Sequence, residues 1–256
     1  MHLIDSHCHL DFKEFDLDRD QLLSHCQQLG IKDIVIPGVT AQRWNKLLTV
    51  CQGSAMLHPA LGLHPMFMAK HQPEHLIQLA EHISNHHIIA VGEIGLDFYI
   101  ADHDKESQVE LFSVQLKIAQ QAKLPVLLHV RKAHEQTISL LKQYPVVRGI
   151  IHAFSGSLQQ AKQYQDLGFL LGIGGAITHL RATRLRAMVS QLPLSSIVLE
   201  TDAPDMPLHL MKQQYNTPEN ITVILDALTA LRTENKDVIA STTTENCQRV
   251  LGLENK

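Results

Sequence analysis

The chain has 256 residues, of which 45% are hydrophobic and 19% are charged, and it contains 13 glycines and 10 prolines. This composition is typical of a globular protein and excludes disordered, collagen-like and coiled-coil chains. The formal net charge of −4 excludes a basic nucleic-acid coat protein and a basic membrane-surface patch.

The cysteines and the N-terminal segment predict where the protein resides. The four cysteines are scattered and form no C-x-x-C pair, which is typical of a reducing compartment. The N-terminus has no basic region followed by a long apolar one, and no segment approaches the roughly 18 uninterrupted apolar residues of a membrane span. We therefore expect a cytoplasmic protein with no membrane association and no obligate protein partner.

Short apolar runs alternate with segments of helical periodicity along the whole chain. Most of the runs are continuous rather than alternating, as expected of parallel strands that helices cover on both faces. The predicted strands are 2–5, 31–36, 57–62, 88–93, 125–130, 148–152, 169–173 and 196–200.

Helix ends between these strands are marked by local signals. Ser157 and Gln160 have the spacing of a capping box, and Gly168 stands where a glycine ends a helix. Thr217 followed by Pro218 predicts the start of a later helix.

Divided over eight units, 256 residues give about 32 residues per strand and helix. No internal repeat, linker or low-complexity segment divides the chain. We therefore predict an α/β fold in which residues 1–256 form a single (β/α)8 TIM barrel. A doubly wound open sheet is the alternative, because counting strands does not distinguish the two.

Metal-binding residue types follow several of the predicted strands, where barrel active sites form. His7 and His9 follow the first strand, and alternate side chains of an extended chain share a face. Further candidates follow the fourth, fifth, sixth and eighth strands: Glu93, His129, His152 and Asp202. Six such ligands exceed the need of one catalytic zinc-like ion, so they indicate a two-metal hydrolytic centre.

Two of these residues are also the predicted catalytic groups. Glu93 is central in strand order and is the candidate for a ligand shared by both metals, and Asp202 is placed to accept a proton from the attacking water. Each residue alone also has an ordinary structural explanation, since His129 or His152 could be a rim histidine, Glu93 a helix cap and Asp202 part of a turn. The six together favour the metal centre.

These residues belong to motifs that resemble the TatD family of metal-dependent deoxyribonucleases, which are TIM barrels of the metal-dependent hydrolase type. The resemblance extends from residue 4 to Thr244-Glu245-Asn246. The motifs are His7-x-His9, Gly62-Leu63-His64-Pro65, Gly92-Glu93-Ile94-Gly95-Leu96-Asp97, the strand from Pro125 to His129, His152-Ala153-Phe154-Ser155-Gly156 and Glu200-Thr201-Asp202-Ala203-Pro204.

The resemblance implies two divalent cations per subunit (Mg, Mn or Zn) and hydrolysis of DNA phosphodiester bonds, with strand ends as the substrate. One cation would be held by His7, His9, Glu93 and Asp202, and the other by Glu93, His129 and His152. His64, Arg131 and Ser155 lie beside the matched motifs and are candidates for binding substrate phosphate. The alternative for His64 is a loop histidine packed by Pro65.

The chain departs from the family pattern after Asp202. Asp205 stands where many members carry a tyrosine, and Tyr215-Asn216-Thr217-Pro218 lacks the arginine of the usual Arg-Asn-x-Pro segment. Both changes weaken phosphate binding in this loop, and the variant resembles the YjjV-type branch of the family.

Two other functions are consistent with parts of this pattern. A metal-dependent amidohydrolase or lactonase would use the same barrel and the same His-x-His start, but such enzymes usually bridge their metals with a modified lysine, where this chain has Glu93. A non-catalytic metal-storage or partner protein would not need all six ligands. The dispersed lysines and arginines predict weak, salt-sensitive binding of a flexible strand end.

The remaining histidines and Trp44 have structural interpretations. His71, His75, His82 and His86 have helix-like spacing, which predicts a solvated helix face. Trp44 is expected to pack in the core.

Overall fold

The computed structural model describes residues 1–100, 104–146, 148–211 and 215–253. Its strands are β1 (Leu3–Asp5), β2 (Ile31–Pro37), β3 (Leu57–Leu61), β4 (Ala90–Asp97), β5 (Val126–Arg131), β6 (Gly149–Ile151), β7 (Phe169–Ile173) and β8 (Ile197–Leu199). They form one parallel sheet in which each strand pairs with the next in sequence. This order confirms the TIM barrel and excludes the doubly wound sheet, whose strand order reverses.

Helices surround the sheet and connect its strands. Those in the described residues are α1 (Arg19–Gln28), α2 (Ala41–Gln52), α3 (Glu74–Asn85), α4 (Lys105–Ala122), α5 (His134–Gln143), α6 (Leu158–Asp166), α7 (Thr183–Gln191), α8 (Ile221–Thr229) and α9 (Lys236–Leu251). None of the helices in these described ranges is both long enough and apolar enough to cross a membrane.

The predicted helix-end signals are present. Ser157 and Gln160 form the reciprocal hydrogen bonds of a capping box at the start of α6, and Gly168 has a φ of +82° just beyond its end. Thr217 precedes a short 3-10 helix, Pro218–Asn220, which leads into α8.

Hydrogen bonds beyond the strand ends join the two outer strands of the sheet. The Ser6 N–H donates to Leu199 O at 3.0 Å, and the Asp202 N–H donates to His7 O at 2.8 Å. These bonds close the barrel at the place where the chain leaves β1 and β8, so two predicted ligands from opposite ends of the sequence become neighbours.

The interior of the barrel is filled by one apolar side chain from every strand. Because alternate residues of a strand share a face, each strand presents its residue to the same enclosed volume. Three residues from the C-terminal half of α9 pack in the same cluster. The strand residues are Ile4, Val35, Ala60, Ala90, Leu127, Ile150, Leu170 and Val198, and those of α9 are Cys247, Val250 and Leu251.

Strand β4 extends four residues beyond its predicted end at residue 93. It continues to Asp97 and pairs there with β5. The close approach of the two strands requires Gly95, which has a φ of +140° and whose added Cβ would lie 2.1 Å from His129 O. One strand therefore carries both Glu93 and Asp97 into the site.

Trp44 packs in the core, as the sequence predicts. It is 1% exposed, and its indole Nε1 donates to Gly62 O at 3.2 Å. It therefore joins α2 to the loop that follows β3.

We expect Trp44→Ala to lower the free energy of unfolding by about 3–5 kcal/mol, because it leaves a cavity and removes a buried aromatic side chain. Urea denaturation measures the effect. Leu17→Ala is the control, since Leu17 is 94% exposed and its loss is expected to change stability by less than about 0.5 kcal/mol. Equal effects of the two substitutions would contradict the core role of Trp44.

Candidate metal centre

His7 and His9 leave β1 and point to the same site. Their ligand atoms and a carboxylate oxygen of Asp202 lie within 4.8 Å of one another. Cys8 between them is fully buried, and its thiol contacts Ala203 O at 3.7 Å. The alternation expected of an extended segment therefore separates the two imidazoles from the thiol.

The Glu93 carboxylate lies at the centre of the site and is 3% exposed. Its Oε2 is 3.3 Å from His7 Nε2 and 3.7 Å from His9 Nε2. Its Oε1 is 3.1 Å from His64 Nε2 and 3.2 Å from His129 Nδ1. The two oxygens of one carboxylate therefore face two different pairs of imidazoles.

Asp202 reaches three histidines from the loop after β8. Its Oδ1 lies 3.7 Å from His7 Nε2, 3.6 Å from His9 Nε2 and 3.5 Å from His152 Nε2. Its φ of +58° is left-handed, a conformation that Asp adopts more readily than most residues. The ring of His152 stacks on that of His7 with centroids 3.6 Å apart, so His152 lies with His7 and Asp202.

Groups on the far side of two imidazoles orient the rings. His9 Nδ1 is 3.2 Å from Pro37 O, and a carbonyl only accepts, so Nδ1 carries the proton and Nε2 is free. His129 Nε2 is 2.9 Å from the buried Asp97 carboxylate, which directs Nδ1 toward Glu93 Oε1 at 3.2 Å. Metal-binding histidines are commonly oriented in this way. Burial opposes protonation of His129, but the two carboxylates raise its pKa.

Glu200 lies behind His152 as a charge partner. Its Oε1 lies 3.0 Å from His152 Nδ1 and accepts a hydrogen bond from the Ala153 N–H at 2.6 Å. Glu200 is fully buried, and Gly172 makes room for it, because a Cβ there would lie 2.1 Å from Glu200 Oε2.

His64 is arranged as a hydrogen-bond donor. Its Nδ1 accepts from the Met66 N–H at 3.0 Å, so Nε2 carries the proton and donates to Glu93. Burial lowers the pKa of His64 to about 4, although the charge of Glu93 opposes this. His64 is therefore neutral and can donate to Glu93 or to a substrate oxygen.

His71 supports His64 from behind. It is half-buried, and its Nε2 donates to His64 O at 2.9 Å. The prediction of a solvated histidine face is therefore wrong for His71, although His86 is exposed.

The charges and hydrogen bonds of the site fit a divalent cation. His7 Nε2 is buried and has no hydrogen-bond partner among the described residues, and burial, with the nearby His152, lowers the pKa of His7. Burial opposes ionisation of Glu93, but His64 and His7 hold the pKa of Glu93 well below its ordinary value. The ionised Glu93 carboxylate thus faces an unprotonated His7 Nε2, and oxygen and nitrogen donors of these two kinds are found together in metal sites.

A cleft of about 360 Å³ opens beside Asp202. Arg131 and Ser155, both predicted to bind substrate, line it and are exposed, and the Arg131 guanidinium lies 3.9 Å from the centre of the Tyr99 ring. His64, the third such residue, contacts the Glu93 carboxylate instead. The apolar part of the wall consists of Val130, Phe154, Ile173, Ala176, Ile177, Leu185 and Met206.

Asn216 holds the loop that carries Asp202. Its side-chain Nδ2 donates to Thr201 O at 2.8 Å and to Asp205 O at 3.0 Å, and its N–H donates to Pro204 O at 3.0 Å. The segment that lacks the family's arginine therefore still positions this loop. Burial, together with the charge of Asp202, raises the pKa of the Asp205 carboxyl.

Sequence reasoning assigned no role to three buried carboxylates behind the histidines, namely Asp5, Asp97 and Glu200. Asp5 accepts from the Thr201 hydroxyl at 2.5 Å and from the His7 N–H at 3.2 Å. Burial raises its pKa to about 7, although the hydrogen bonds oppose this. Each of the three lies within four residues of a predicted ligand in the sequence, which was the available signal.

Comparison with known proteins agrees with this geometry. Residues 4–252 match the family described as TatD related DNase. The chain belongs to this family. It is 41% identical over 246 residues to the uncharacterized metal-dependent hydrolase YjjV of Escherichia coli, with 95% of each chain covered. The crystal structure of that YjjV protein has a TM-score of 0.94 to this chain at 39% identity and covers 98% of both.

A more distant relative is the 3′-5′ ssDNA/RNA exonuclease TatD of Erwinia amylovora. It is 29% identical to this chain, and the match covers 98% of this chain and 100% of that protein. The predicted membership of the TatD family of metal-dependent hydrolases, with a resemblance to YjjV, is confirmed.

We expect Asp97→Asn to weaken metal binding about 10- to 100-fold, because the neutral amide orients His129 less firmly with Nδ1 toward the site. Calorimetric titration with Zn or Mn measures the affinity. Asp237→Asn, the same change at an exposed position of α9, is the control and is expected to bind metal normally. An unchanged affinity in Asp97→Asn would contradict the orienting role.

We expect Gly172→Ala to lower the free energy of unfolding by about 1–3 kcal/mol, because the new methyl group overlaps the buried Glu200 carboxylate. Thermal denaturation measures this. In the control Gly53→Ala, the added Cβ would contact only Val50 O, at 3.2 Å, and a smaller change is expected. If Gly172→Ala lowers the free energy of unfolding as little as Gly53→Ala does, the Glu200 side chain moves aside without destabilising the protein.

Proposed function

We propose that this protein is a metal-dependent deoxyribonuclease that hydrolyses phosphodiester bonds at the ends of DNA strands. The proposal rests on the position of the two Glu93 carboxylate oxygens. Oε2 faces His7 and His9, whereas Oε1 faces His129. A carboxylate placed in this way suits a ligand shared by two cations in phosphodiester hydrolysis.

Two divalent cations would be held by six side chains of the site. Imidazoles favour Zn, and carboxylates favour Mg and Mn, so this mixed set suits Mg, Mn or Zn. When bound, such cations lower the pKa of a water molecule and stabilise negative charge on phosphoryl oxygens. The proposed ligands are His7, His9, Glu93, His129, His152 and Asp202.

Asp202 is the proposed proton acceptor. Burial opposes its ionisation, but His152 and His7 lower its pKa, so the carboxylate is charged at neutral pH. Its side chain is 13% exposed and lines the cleft. A proton held transiently on this carboxylate can then pass to solvent through the cleft.

The remaining polar groups are suited to binding and orienting a phosphate. The neutral His64 offers an Nε2–H from the side of Glu93, and Arg131 and Ser155 offer a guanidinium and a hydroxyl from the cleft. Stacking on Tyr99 restricts the Arg131 guanidinium, which lowers the entropy lost when it binds a phosphate.

A nuclease is favoured over an amidohydrolase or lactonase of a small molecule. Glu93 occupies the position at which those enzymes usually carry a modified lysine, and the Erwinia relative is named as an exonuclease of single-stranded DNA and RNA. All four cysteines are free and buried, which supports our proposal of a cytoplasmic location.

We expect Glu93→Ala and Asp202→Asn each to lower the kcat for single-stranded DNA roughly 10²- to 10⁴-fold, because each removes a metal ligand or the proton acceptor. The assay is repeated with Mg, Mn and Zn, and bound metal is measured by elemental analysis. Glu110→Ala, at an exposed position of α4, is the control.

Unchanged DNA hydrolysis in both variants would contradict the mechanism. Metal-loaded protein that is inert on DNA but active on esters or amides would support the small-molecule alternative instead.

A further inference from the structure

A second cleft adjoins the metal centre on the rim of the barrel. It has a volume of about 880 Å³ and shares Ser155 and Leu185 with the cleft beside Asp202. One wall is residues 155–158 at the start of α6, and the other is the turn before α7 together with much of α7. The two clefts therefore form a continuous path that leads away from the metal centre.

The second cleft is basic although the protein as a whole is acidic. No Asp or Glu lines it, and residues 167–199 contain three arginines without a carboxylate. Arg186 is engaged by the backbone, since its Nη1 donates to Ile177 O. Arg181 and Arg184 line the cleft and are exposed, and neither has an ion pair or hydrogen bond within the described part of the chain. The two exposed arginines therefore have no acidic partner among the described residues that line this cleft.

The position of Arg184 adds to this unbalanced positive charge. It lies in the first turn of α7, which contains no acidic residue and has no side-chain cap at Ala182. The N-terminus of a helix carries a partial positive charge, so a cation there is unfavourable unless an anion lies nearby. The protein itself supplies none in this cleft.

We infer that the second cleft binds the phosphate backbone of a single-stranded DNA whose end lies at the metal centre, with Arg181 and Arg184 as the phosphate contacts. The inference rests on the proposed function and adds to it the path of the strand. Arginine suits this contact because its planar guanidinium binds phosphate oxygens in pairs. Contacts to the backbone alone make the binding independent of base sequence.

The test compares a long and a short substrate in the double variant Arg181→Gln/Arg184→Gln. A 20-nucleotide strand reaches the second cleft, whereas bis(p-nitrophenyl) phosphate occupies only the metal centre. We expect KM for the strand to rise roughly fivefold, as for the loss of two exposed ion pairs, with kcat and the short substrate unchanged. The slope of log KM against log salt concentration is expected to decrease by about 0.7 for each lost contact.

Lys32→Gln/Lys142→Gln is the matched control, because it removes two positive charges at exposed positions of β2 and α5 that are not part of the cleft. The inference is overturned if the double variant has a normal KM for the strand, or if KM rises equally for both substrates.

A binding measurement separates this inference from the proposed function. Fluorescence anisotropy of the labelled 20-nucleotide strand is recorded with a chelator present, so that no hydrolysis occurs. Weaker binding by the double variant supports the cleft even if the wild-type protein cleaves no DNA, and equal binding by both proteins overturns it.

Discussion

The buried charge of Glu93 is the constraint on which the site depends. A carboxylate removed from water costs several kcal/mol unless opposite charges or hydrogen bonds compensate it. The His64 Nε2–H donates to one of its oxygens, and three more imidazole nitrogens lie within 3.7 Å, where a bound cation would link them to the carboxylate. They come from segments that follow β1 and β3 and from β5, so the charge is compensated only when the barrel brings these strands together. Fold and metal centre are therefore stabilised by the same contacts.

A layer of acceptors behind the imidazoles gives the site its chemistry. Asp97, Glu200 and the carbonyl of Pro37 each lie against the far nitrogen of one histidine. Each contact directs the other nitrogen of the ring toward the centre, so the ring needs no rearrangement when a cation binds. His64 has the opposite arrangement and keeps a proton on the nitrogen that faces Glu93. Neighbouring histidines are thus arranged as candidate metal ligands or as a hydrogen-bond donor, according to the group behind each ring.

Charge on the rim of the barrel is distributed unevenly, and the net charge of −4 for the whole chain does not show this distribution. The first cleft is lined by the Asp202 carboxylate of the metal centre. The charged residues that line the second cleft, among those the structure describes, are Arg181 and Arg184. Binding of a polyanion depends on the local field within about 10 Å, since salt screens more distant charges. An acidic protein can therefore still offer a basic path to one strand.

The sequence by itself determined the eight strands and the six candidate ligands, because apolar runs and residues at their ends are local properties of the chain. Prediction from the sequence failed for features that depend on contacts between residues far apart in the chain. The extension of β4 to Asp97 depends on the approach of β5 at Gly95, and the charge partner of His152 is Glu200, 48 residues later in the chain. Only the tertiary structure could decide the division of the Glu93 oxygens and the joining of two clefts, because both depend on contacts between segments that are separate in the sequence.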